Sequence, residues 1–142
     1  MNGVPTLRQV AHQLMVHQLG TSRTSAKLAL GALNVFGKLL SSLTPMLGEA
    51  GSVELFRRSL KLTEGTFPFF KEARTSERGG LLATAGVFLQ NQKPDVAREA
   101  SVALLTAYLE LLASFIGHPL TWQLLQEAWP DLLTSLSQET PA

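Results

Sequence analysis

The sequence has no cysteine among its 142 residues and few charged residues. The absence of cysteine excludes a disulfide-stapled mini-protein, a thiol enzyme and a Cys-based zinc site. Charged residues make up 16% of the chain, against about 25% in an average soluble domain. Apolar residues nevertheless make up 45%, which argues against a fully disordered chain. The length fits one domain, so we expect residues 1–142 to form a single unit.

Long uninterrupted apolar runs are also missing. Polar residues such as Arg8 interrupt the first twenty residues, so no secretory signal is expected. Two stretches are apolar enough to be tested as membrane spans, Leu28–Leu47 and Ala100–Gly117. They contain Lys38 and Glu110, and a charge at bilayer depth costs about 2.5–3.5 kcal/mol. We therefore expect two buried helices in a cytoplasmic protein without a membrane span.

Helical patterns separated by chain-breaking residues cover most of the sequence. No stretch of useful length alternates apolar and polar residues with the period of two that is typical of strands. The sequence therefore predicts an all-α fold, a single compact bundle of about six helices. The predicted helices are Pro5–Leu19, Thr24–Leu47 with an interruption near Pro45, Ser52–Gly65, Ser76–Asn91, Pro94–Gly117 and Pro119–Trp129, and a short last segment reaches Leu136. We interpret Phe67–Phe70 as an aromatic-rich connection.

The second and fifth predicted helices each carry only a narrow polar strip. Residues at helical spacing form the strips: Lys27, Gly31, Asn34, Lys38 and Ser41 on the second helix, and Glu99, Ala103, Thr106, Glu110, Ser114 and Gly117 on the fifth. The remaining surface of both helices is apolar, so something other than water must cover it. Either these two long apolar helices form the centre of the bundle, or one of them meets another subunit. Small residues on both helices suit a dense bundle and a homodimer seam equally.

Residues that could support catalysis or metal binding are sparse. His12 and His17 are five residues apart, a spacing that does not place two ligands on one helical face. His118 precedes Pro119 at a helix entrance, where a cap or loop role is the simpler interpretation. No nucleophile, phosphate-loop or dinucleotide-binding motif is present. We predict no catalytic residue, no metal site and no cofactor.

Two groups of basic residues are candidate binding sites. Arg78 lies where the fourth predicted helix opens, Arg74 lies four residues upstream, and together they could form a weak anion site, although solvated arginines are the simpler interpretation. Arg57, Arg58 and Lys61 cluster on the third predicted helix. Firm nucleic-acid binding typically uses about six to ten phosphate contacts, and this cluster supplies three charges. We therefore do not expect a nucleic-acid partner.

Two groups of large apolar residues are candidate binding sites. Trp122, Leu125, Trp129 and, beyond the bend at Pro130, Leu133 share one helical face. Such a stripe is either part of the core or a partner-binding ridge, and both interpretations stay open.

A second group of aromatic residues could line an apolar ligand site or close one end of the bundle. These residues are Phe67, Phe69, Phe70 and Tyr108.

These observations favour a non-enzymatic helical interaction or regulatory module. We expect it to self-associate as a homodimer, or to bind another protein, through an apolar face of the fifth helix or through the tryptophan ridge. The alternative is a small-molecule sensor or carrier that binds an apolar ligand in the core of the bundle.

Overall fold

The computed structural model describes residues 6–76 and 80–130. Within these residues the regular structure is entirely helical, and the helices pack into one bundle. The predicted all-α fold is therefore confirmed. The six helices are α1 (Leu7–Leu19), α2 (Ser25–Thr63), α3 (Phe69–Thr75), α4 (Leu81–Gln90), α5 (Pro94–Ile116) and α6 (His118–Ala128).

Helix α1 begins at a capping box. The hydroxyl of Thr6 accepts a hydrogen bond from the Gln9 amide at 3.1 Å, and the Gln9 side chain accepts one from the Thr6 amide at 2.7 Å. Two otherwise unpaired amides are satisfied in this way, which sets the start at Leu7 rather than at the predicted Pro5. At the other end, Gly20 has a φ of 57° and follows the last helical residue, as predicted.

Helix α2 combines the second and third predicted helices. The helix bends sharply at Gly48, whose φ of 78° and ψ of 164° are not helical. The predicted interruption near Pro45 is therefore displaced by three residues, and Pro45 itself lies exposed inside the helix. A second helical segment does follow the bend, as predicted, but it begins at residue 49 rather than at Ser52. The Ser52 hydroxyl donates to the Gly48 carbonyl at 2.9 Å, as the side chain of a residue inside a helix does.

Helices α2 and α5 form the centre of the bundle, as the sequence predicts. Helix α5 packs against α1, α2, α4 and α6, while α2 contacts all five of the other helices. Lys38 on α2 and Glu110 on α5 are exposed, so both polar strips reach the surface. Thr106 is the exception: it is buried, and its hydroxyl donates to the Val102 carbonyl at 2.8 Å.

The segment between α2 and α4 differs from the prediction. Part of the supposed connection is helical, because Phe69 begins the short helix α3. Helix α4 begins at Leu81 instead of Ser76, directly after Gly80, whose φ of 111° is not helical. Near the end of the described chain, Pro119 lies in the first turn of α6, which ends at Ala128, one residue before the predicted end at Trp129. The predicted last segment, to Leu136, lies outside the described residues.

Helix α5 is long and apolar enough to cross a membrane, judged by length and composition alone. Half of its apolar window is buried inside the bundle, and the core helix of a soluble protein passes the same test. The burial of α5 is therefore explained by the helices that pack around it.

Candidate interaction surface

The predicted tryptophan ridge is largely part of the core. Leu125 is fully buried, Trp129 is only 8% exposed, and Trp122 is half-buried against the core. The Nζ of Lys38 lies 5.2 Å from the centre of the Trp129 ring and covers it. Of the two interpretations that the sequence left open, burial favours the core for these three residues. Leu133 lies outside the described residues.

The four aromatic residues proposed to line a ligand site fall into two groups. Phe67, Phe69 and Phe70 contact one another, with ring centres 4.6–6.2 Å apart. Phe70 is buried, and the other two are half-buried at the junction between α2 and α3. Tyr108 lies in a separate ring cluster on α5. Among the described residues, no ring contact joins Tyr108 to the other three, so these contacts do not bring all four residues to one site.

Tyr108 occupies the centre of the bundle. Its ring lies 5.8 Å from Phe36 and 6.4 Å from Phe56, and those two rings are 5.1 Å apart at an angle of 64°. The hydroxyl of Tyr108 is buried and lacks a hydrogen-bond partner among the described residues. Burial raises the pKa of this phenol well above its ordinary value, because the charged phenolate would lose its hydration.

The weak anion site is not supported at Arg74. Its guanidinium binds the carboxylate of Glu64, with Nη2 at 2.9 Å and Nε at 3.0 Å from Oε1. Glu64 therefore neutralises the charge that an anion would need. The sequence offered no signal for this pair, because Glu64 directly follows α2 while Arg74 lies ten residues later, in α3. Arg78 lies outside the described residues.

The titratable residues considered for chemistry are on the surface. His12, His17 and His118 are exposed, and so is Glu110. Among the described residues, no group of three or more His, Cys, Asp or Glu side chains could hold a metal ion.

The buried face of α5 ends in an exposed aromatic residue. Phe115 follows Tyr108 by seven residues and so lies on the same side of the helix two turns later. Tyr108 is 0% exposed, whereas Phe115 is 58% exposed. The neighbouring helices thus cover this face as far as Leu112, which is also 0% exposed, but leave its last aromatic ring largely in contact with water.

A basic residue of α2 lies over the ring of Phe115. The guanidinium carbon of Arg58, on α2, lies 5.9 Å from the centre of the Phe115 ring. Leu62, one turn after Arg58 on the same side of α2, is 63% exposed. We call Phe115, Arg58 and Leu62 the Phe115 surface. Sequence reasoning assigned Phe115 to the apolar face of its helix, but periodicity does not indicate where the cover ends.

Other large apolar side chains are also exposed: Val16, Leu30, Met46 and Val87. Exposed apolar residues are normal in soluble proteins, and these four lack the ring–guanidinium contact that distinguishes the Phe115 surface.

Comparisons of this chain with protein-family models, with curated proteins and with solved structures find no match.

Proposed function

We propose that the protein is a non-enzymatic helical interaction module that self-associates through the Phe115 surface. The observation that carries this proposal is the 58% exposure of Phe115 at the end of the helix face that buries Tyr108. Contact with a second copy would remove the ring from water, and burial contributes about 25 cal/mol for each Å² of apolar area. Aromatic and arginine side chains are enriched in protein interfaces, and this surface presents both.

The charge order along α2 supports a second copy as the partner. Glu54 and Arg58 are both exposed and lie four residues apart on one side of the helix. If two copies met about a two-fold axis with these segments antiparallel, Glu54 of each copy would face Arg58 of the other. Glu54, which is exposed, now contacts the partly buried Arg57 at 3.3 Å, and ion pairs near the surface contribute little stability. Glu54 is therefore able to exchange partners on association.

Sedimentation equilibrium of the wild-type chain and two variants tests the proposal. We expect a monomer–dimer equilibrium in the micromolar range for the wild type, and a dimer at least tenfold weaker for Phe115→Asp. Leu30→Asp is the matched control, because Leu30 is 60% exposed and lies near the start of α2. Arg98 on α5 binds the Ser22 carbonyl there, and Phe115 lies about 26 Å further along α5. A wild-type chain that stays monomeric at 100 micromolar or above would contradict the proposal.

Charge reversal tests the two-fold arrangement separately. Glu54→Arg and Arg58→Glu should each weaken the dimer, because each places like charges opposite one another. The double variant restores opposite charges across the axis, so it should recover most of the affinity. Failure of the double variant to recover would exclude this arrangement even if the chain dimerises.

The second candidate function is a carrier or sensor for a small apolar molecule. It is favoured by one observation: the buried Tyr108 hydroxyl has no hydrogen-bond partner within residues 6–76 and 80–130, so it could donate a hydrogen bond to a polar group on a ligand. Native mass spectrometry of the purified protein tests this candidate. A bound small molecule that is lost from Tyr108→Phe would support it, and an unliganded mass for the wild type would oppose it.

A further inference from the structure

The corner of α2 consists of a single residue. Residues 25–47 and 49–63 are helical on either side of Gly48, with no loop between them. A φ of 78° with a ψ of 164° is accessible to glycine and strained for residues with a side chain. Changing these two torsion angles to helical values would convert the bent helix into a straight one of 39 residues, about 58 Å long.

The bend brings the two halves of α2 together in the core. Phe36 precedes the corner and Phe56 follows it, and their rings are 5.1 Å apart. In a straight helix these residues would be separated by about 30 Å. Straightening would therefore uncover both rings and one side of Tyr108.

Most residues at the corner are exposed to water. Residues 44–46 and 48–51 are all exposed, so straightening the helix at this point would remove little of their surface from the core. Pro45 has no amide hydrogen to donate within the helix. Just before it, the hydroxyls of Ser42 and Thr44 donate to the carbonyls of Lys38 and Leu40 at 2.9 and 2.8 Å, an arrangement that often bends helices.

We propose that Gly48 is a hinge through which two copies of this chain exchange their first 47 residues and form a domain-swapped dimer. Straightening uncovers the surface around Phe56 and Tyr108, and this surface is complementary to the segment that precedes Gly48, which packed on it before. A second copy supplies that same segment, so Phe36 of one copy packs against Phe56 and Tyr108 of the other. Every core contact is then restored between chains, and the hinge alone changes conformation. This proposal is independent of the Phe115 surface.

Gly48→Ala tests the hinge. Alanine is strained at the bent geometry and favours a straight helix, so we expect the association constant of the swapped dimer to rise by at least about 100-fold. Gly37→Ala is the matched control, because it lies in the same helix and an added Cβ there meets no atom within 4 Å. This control should leave the oligomeric state unchanged. Two glycines inserted after position 48 of Gly48→Ala should abolish the swapped dimer and restore the wild-type association behaviour.

Dilution and a surface variant separate the two kinds of dimer. A swapped dimer must unfold to dissociate, so it should persist for hours after dilution and should also form when Phe115→Asp is added to Gly48→Ala. A dimer that forms through the Phe115 surface should dissociate at once on dilution, and it should not form in any variant that carries Phe115→Asp. A folded Gly48→Ala chain that remains monomeric would overturn the proposal. If that variant does not fold, the wild type refolded at several hundred micromolar must give a long-lived dimer, and its absence would overturn the proposal equally.

Discussion

Leu33 on α2 packs directly against the backbone of Gly86 on α4. A Cβ atom at Gly86 would lie 2.7 Å from Cδ1, 3.0 Å from Cδ2 and 3.1 Å from Cγ of Leu33. The whole end of the leucine side chain occupies the space that any larger residue at position 86 would need. This contact fixes how closely the two helices approach.

Gly86→Ala should therefore destabilise the protein by about 1 kcal/mol. Overpacking costs about 1–3 kcal/mol, and the higher helix propensity of alanine offsets about 1 kcal/mol of that. Urea unfolding would measure the change. In a Leu33→Ala background the same substitution should become stabilising, and a loss of equal size in both backgrounds would show that Leu33 is not the cause.

Tyr108→Phe should stabilise the protein. The substitution keeps the ring between Phe36 and Phe56 and removes a buried hydroxyl that has no partner among the described residues. The cost of burying an unsatisfied polar group is about 1–3 kcal/mol, and we expect about 1 kcal/mol of it to be recovered. Thermal unfolding would reveal the gain as a higher midpoint. A loss of stability would indicate that the hydroxyl has a partner in solution, such as a water molecule or a ligand.

The same tyrosine should make the protein sensitive to alkali. Burial raises the pKa of Tyr108 in the folded state, while the unfolded chain ionises near its ordinary value of about 10. The stability linked to this group is therefore complete below pH 10 and decreases as the pH rises above it, by up to about 1.4 kcal/mol per pH unit. Tyr108→Phe should lack this component of the loss.

Absorbance at 295 nm would follow the ionisation directly, because Tyr108 is the sole tyrosine of the sequence. We expect the phenolate signal to appear together with unfolding. A phenolate signal near pH 10 in a chain that remains folded would contradict this prediction.

Lys38→Ala should expose Trp129. The lysine Nζ lies 5.2 Å from the centre of the indole, and such contacts contribute about 0.5–1 kcal/mol at exposed sites. In a Trp122→Phe background Trp129 alone emits, and its fluorescence should shift to the red and become easier to quench with acrylamide. Lys27→Ala, on the same polar strip, is the control and should change neither property.

The ends of the helices could be predicted from the sequence wherever a helix-starting or helix-ending residue marks them. Gly20 and Pro94 lie at helix ends as predicted, because each imposes a backbone conformation that suits a helix boundary. The sequence predicts the bend near Pro45, because proline has the lower helix propensity, but the bend lies at Gly48. An exposed proline can be tolerated within a helix when the chain bends nearby. Which of the two residues forms the bend depends on the packing of Phe36 against Phe56, which brings the two halves of α2 together.

The candidate site could be predicted only in part. The pattern of α5 placed Phe115 on an apolar face, but its exposure depends on how far α2 extends beside it. The pair of Arg74 and Glu64 and the contact between Leu33 and Gly86 join residues from different parts of the chain. Spacing along one helix carries no information on such pairs, so the sequence could not show that Glu64 pairs with Arg74.

Photo-crosslinking from position 115 tests the central claim most directly. A benzophenone amino acid replaces Phe115 in the full chain, which is irradiated at increasing protein concentrations and digested for mass spectrometry. The account predicts a covalent dimer whose yield rises with concentration and whose crosslinked peptides come from residues 49–63 or from the end of α5 in a second copy. Crosslinks confined to the same chain at every concentration would contradict it.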